Sequence, residues 1–140
     1  MAINTGRVVG GGIVAGIIMN GLDALWGNFV MKDEYQAMAT RMGLDPKILE
    51  TFSGMMPWIL CDFVLGLLVV WTYAGFRPRF GAGIQTAIVA AFVPFVAITA
   101  VMYGMMSMGV MTTSVWMKSS LFGLVNMLAG GIVGGWLYKE

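Results

Sequence analysis

Four apolar runs, over about residues 8–31, 55–76, 84–103 and 113–138, take up most of this chain. Roughly 20 apolar residues suffice to cross the hydrocarbon core of a bilayer. In lipid a backbone amide finds its partner only within its own segment, so runs of this kind fold as helices. The expected fold is therefore all-α: a polytopic membrane protein forming one domain, a four-transmembrane-helix bundle with a short interfacial helical connector between helices 1 and 2. Composition agrees, since 59% of residues are hydrophobic and 11% charged, well outside the range of soluble domains.

The hydrophilic stretch from Lys32 to Ser53 is the connector. Its apolar residues Tyr35, Met38, Met42 and Leu49 suggest helical spacing. Asp45 before Pro46 reads as an N-cap followed by proline at the first helical position, which divides the connector into two short helices lying on the membrane surface. Residues Arg77, Pro78, Arg79, Phe80 and Gly81 predict a tight basic turn, and Gly104 to Thr113 a methionine-rich one. Pro94 removes one backbone hydrogen bond from the third span and predicts a bend there. The segment before the first span is short, and the span is longer than a signal-peptide core, so it is expected to be retained as a helix.

Basic residues set the expected orientation, because Lys and Arg are held on the cytoplasmic side. Arg7, Arg77, Arg79 and Lys139 fall on one face. Lys32, Arg41 and Lys47 fall on the other, diluted by Asp33, Glu34, Asp45 and Glu50, with Lys118 near a helix end on that side. Both termini are expected to be cytoplasmic.

Several functions are excluded or weakened. Eight basic and seven acidic residues give a net charge of +1, too small a field to recruit nucleic acid. The absence of histidine removes the commonest metal ligand and general base. One cysteine, Cys61, cannot form an intramolecular disulfide or a zinc site alone, and is expected to pack as a small residue. Fourteen methionines include a cluster at Met102, Met105, Met106, Met108 and Met111. Thioethers bind copper(I), but methionine also fills irregular helix ends, and the second reading is favoured.

Two stripes bear on packing. Gly12, Gly16, Asn20, Asp23 and Gly27 recur at steps of three and four in the first span, and Ser119, Gly123, Asn126, Gly130 and Gly134 do so in the fourth. Set antiparallel, they predict Gly12 against Gly134, Gly16 against Gly130, Asn20 against Asn126, Asp23 against Gly123 and Gly27 against Ser119. Small residues allow the close backbone approach that helix association in lipid requires, and a polar pair adds about 0.6–2 kcal/mol.

Asp23, Asp62 and Lys118 form a candidate charge cluster in one half of the membrane. By residue count Asp23 lies about 12 Å, and Asp62 about 10 Å, from the same boundary. A charge at bilayer depth costs about 2.5–3.5 kcal/mol on insertion scales, so such groups point inward and find partners. Two neighbouring carboxylates can share a proton or a cation. The structural alternative, which is favoured, has the two aspartates bonding to Asn28, Lys118 or hydroxyls and holding the bundle in register.

The segment GRVVGGGIVAGIIMN at residues 6–20, the turn RPRFGAG at 77–83 and the glycine-rich end together resemble a group of uncharacterised small four-helix bacterial integral membrane proteins. The resemblance implies a bacterial inner-membrane location and no activity. The reading that follows is a non-catalytic membrane subunit or scaffold of a larger complex. It would contact lipid and other membrane subunits or itself, with bound lipid expected and pigments or quinones as conceivable neighbours that no residue specifies. The alternative is a small oligomeric proton-coupled transporter using Asp23 and Asp62.

Overall fold

A computed structural model describes residues 3–138; Met1 and Lys139, which entered the sequence reading, lie outside the described residues. The described chain is all-helical: α1 (Thr5–Phe29), α2 (Lys32–Arg41), a 3-10 turn at Pro46–Glu50, α3 (Phe52–Phe80), α4 (Ile84–Ser107) and α5 (Thr113–Leu137). Helices α1, α3, α4 and α5 are each long and apolar enough to cross a membrane. The two ends of the described chain meet at one end of the bundle, where the Asn4 N–H donates to the Tyr138 hydroxyl at 3.1 Å.

Caps explain why two helices open earlier than the apolar runs. The Asn4 side chain accepts from the Arg7 N–H, so α1 begins at Thr5 rather than near Val8. Thr51 accepts from the Gly54 N–H and starts α3 at Phe52. Thr112 accepts from the Val115 N–H and starts α5 at Thr113. Each side chain satisfies an amide that the first turn leaves without a helical partner. In the connector Asp45 caps Pro46–Glu50 by accepting from the Lys47 N–H, and two short helical pieces form.

The basic turn expected from Arg77 to Gly81 is instead the last turn of α3. The helix continues through Pro78 to Phe80 and stops at Gly81, whose φ of 83° suits glycine. Helix α4 likewise runs to Ser107, beyond the expected end near Tyr103. Its exit is Gly109, with φ 79°.

Helix α1 packs most extensively against α3 and next against α5, while α4 rests on α5 and α3. Helices α3 and α5 therefore touch along the short diagonal, with α1 and α4 on opposite flanks. The core in the terminal half holds Val8, Ala15, Val70, Tyr73, Ala74, Ala87 and Ala90. Met19, Val69, Ala91 and Met127 continue it. A third cluster, Met31, Met111 and Val115, seals the connector end, with Trp26, Tyr35, Met38, Met102, Met106 and Trp116 packed against it. Met102, Met106 and Met111 thus serve packing, whereas Met108 points outward. Cys61 is exposed on α3 and is not a packing residue.

Glycine decides how close α1 comes to its neighbours. A methyl group placed on Gly66 would lie 2.5 Å from the Gly12 carbonyl oxygen and 2.7 Å from the Gly16 nitrogen. One on Gly11 would lie 2.7 Å from the Gly134 oxygen. The α1–α5 pairing is antiparallel, but its register differs from the expected one: Gly11 and Ala15 meet Gly134 and Gly130, while Gly12 and Gly16 face Leu67, Phe63 and Gly66 of α3. One residue is a rotation of about 100° on a helix, enough to move a contact from one neighbour to the next. Gly27 and Gly123 have open space where a Cβ would stand, so neither makes a close helix contact.

Candidate functional site

The polar groups inside the bundle converge in its connector half. Asp23 is on α1, six residues before the helix ends at Phe29; Asp62 is on α3, ten residues after it begins at Phe52. At 1.5 Å per residue these are depths of about 9 and 15 Å from the helix ends. The two carboxyls stand within hydrogen-bond reach of one another. Asp62 is only 4% exposed and Asn126 only 5%.

Asn126, on α5, donates its Nδ2–H to Asp23 Oδ1 at 3.0 Å. Its partner is therefore Asp23 and not Asn20. Asn20 turns instead to α3, donating to the Ile59 carbonyl at 3.3 Å as well as to the Gly16 carbonyl of its own helix at 2.9 Å. Asn28 donates to the Ala24 carbonyl of its own helix and holds neither aspartate.

Lys118 also leaves the expected cluster. Its Nζ pairs with Glu34 Oε1 of α2 at 2.7 Å, and Ser114 donates to the same oxygen at 3.4 Å. Beside this pair the Tyr35 hydroxyl and Ser119 Oγ are 3.4 Å apart. Burial pushes the Tyr35 hydroxyl above its ordinary pKa of 10.0, the neighbouring acids Asp23 and Glu34 push the same way, and the Ser119 contact opposes them. Ser119 therefore meets the connector and not Gly27. The surface helix α2 folds back against α5, a contact that spans 84 residues of chain and left no periodic signal.

The constellation is two carboxyls oriented by one amide, with a hydroxyl pair and an ion pair between it and the connector surface. It has the acceptors for a proton or small cation. A cleft of about 560 Å³ opens at the other end, between Tyr73, Arg77, Ala87, Ile132, Trp136 and Tyr138, and includes neither aspartate. Among the described residues no group of three His, Cys, Asp or Glu side chains gathers as metal ligands. No protein-family model, curated protein or solved structure matches this chain.

Proposed function

We infer that this chain is a small proton-coupled transporter, with Asp23 and Asp62 as its proton-carrying pair. The reading is supported by one observation above others: α1 and α3 bring two carboxyls together at bilayer depth. Charge there is costly and marks ion and proton pathways. Two adjacent carboxyls readily hold one proton between them, which creates an occupied and an emptied state of the site. Asn126 donates to Asp23 and orients it beside Asp62. The transported species passes between copies in a small oligomer, and the carboxyl pair of each bundle supplies the proton step. Arg7, Arg77 and Arg79 lie at the terminal end, and on the positive-inside rule that end is cytoplasmic in a bacterial inner membrane. No catalytic step, metal or resident cofactor belongs to this proposal.

The test is proton flux into proteoliposomes carrying a trapped pH indicator. With a panel of small cationic and neutral solutes supplied in turn, the unsubstituted protein should move protons together with at least one of them down an imposed gradient, and Asp23→Asn and Asp62→Asn should each reduce that rate at least tenfold while the bundle stays folded. Flux equal to that of protein-free vesicles, or unchanged in both variants, rejects the reading.

A second reading, a non-catalytic subunit or scaffold of a larger membrane complex, is favoured by the outer surface. No more than 33% of each apolar window is buried inside the bundle, and Phe29, Phe52, Trp58, Trp71 and Met108 all point outward. Lipid covers such a surface, and so would neighbouring subunits. Purification in mild detergent with other subunits at fixed stoichiometry supports this reading over the first.

A further inference from the structure

The polar atoms around the carboxyl pair are not satisfied evenly. On the terminal side the pair is closed off by apolar packing: Ala15, Met19, Val69, Val70, Ala90 and Ala91 each retain at most 1% exposure. On the connector side, buried polar atoms lack protein partners. Asn126 Oδ1 sits on the amide that binds Asp23, Trp26 Nε1 and Ser120 Oγ belong to residues nearer the connector on α1 and α5, and Glu34 Oε2 is on the connector helix α2 itself.

An unpaired buried polar atom costs about 1–3 kcal/mol, and native proteins satisfy such atoms with ordered water. Three of these atoms, on α1, α2 and α5, have complementary chemistry: an indole donor, an amide oxygen and a carboxylate oxygen. The Tyr35 and Ser119 hydroxyls stand beside them with capacity to spare.

We propose that a file of bound water enters the bundle from the connector face between α1, α2 and α5 and ends at the Asp23–Asp62 pair. Ser119 lies seven residues before Asn126 on α5, a separation of about 10 Å that about three hydrogen-bonded waters would bridge. Glu34 and Lys118 stand at its mouth, Tyr35 and Ser119 one step inside, Trp26, stacked on Phe122 of α5, along its length, and Asn126 at its inner end. The terminal side stays dry, so the carboxyls exchange protons with the connector face alone in this conformation.

The hydration claim is independent of whether protons cross the membrane, and its test reports water directly. Magnetisation transfer from water is measured by NMR on the isotope-labelled protein in lipid nanodiscs. Transfer to the Trp26 indole N–H and the Asn126 side-chain NH2 is expected to exceed that to the Val69 and Ala91 backbone amides several-fold. Ser119→Ala, which removes the hydroxyl and adds no bulk, should reduce transfer at Asn126 at least twofold and leave those core amides unchanged. Transfer at Trp26 and Asn126 no greater than at Val69 and Ala91 in the unsubstituted protein overturns the proposal, whatever the flux assay gives.

Discussion

Asn126 and Asp23, 103 residues apart in sequence, share one hydrogen bond of 3.0 Å that ties the last helix to the first at the depth of the second carboxyl. The amide donates, so the contact favours an acceptor oxygen on Asp23 and holds that side chain against Asp62. A double-mutant cycle with Asp23→Ala and Asn126→Ala, read by unfolding in lipid or mixed micelles, should give a coupling energy of about 0.6–1.7 kcal/mol. A coupling within error of zero would show that the contact does not stabilise the fold.

Gly66 and Gly75, both on α3, should respond to the same substitution with opposite signs. A Cβ at Gly66 runs into the Gly12 and Gly16 backbone, whereas Gly75 has nothing within 4 Å of the added carbon. Gly66→Ala should destabilise by about 1–3 kcal/mol through overpacking. Gly75→Ala should be neutral or stabilise by up to about 1 kcal/mol from helix propensity. The same unfolding measurement decides both, and equal effects at the two sites would contradict the α1–α3 contact described here.

Tyr35 should impose an alkaline limit on stability. Burial keeps its hydroxyl protonated above the ordinary value of 10.0, so once the pH exceeds that value the unfolded chain loses a proton that the folded chain retains. The contribution of Tyr35 is complete below pH 10.0 and falls as the pH rises towards and through the folded value. Tyr35→Phe should flatten that part of the curve. Stability that declines equally in both proteins would assign the alkaline loss to other groups.

The spans were readable because a single length rule governs them, and the caps at Asn4, Thr51 and Thr112 account for where three of them open. The partners within the bundle were far less readable. A step of four residues advances about 400° around a helix of 3.6 residues per turn, so Gly12, Gly16 and Asn20 drift by about 40° at each step. A stripe that looks straight in sequence therefore slides from one neighbour to the next, and Gly12 and Gly16 end against α3 rather than α5. The juxtaposition of Asp23 and Asp62 was inferred from depth alone. Asn126 as the third member depends on the register of α1 against α5, and Glu34 and Tyr35 as the groups above it depend on how α2 folds back, which hydrophobic spacing does not encode.

Because α1 rests on both α3 and α5, its interior face has no complete set of neighbours until the whole array has been threaded into the bilayer. During synthesis the first segment inserts with Asp23 facing lipid or the translocon, gains Asp62 when the second segment arrives, and meets Asn126 only when the last one leaves the ribosome. Assembly is thus finished from its two extremities inward, and a chain stopped after the third crossing would be left with an acidic side chain that no amide restrains.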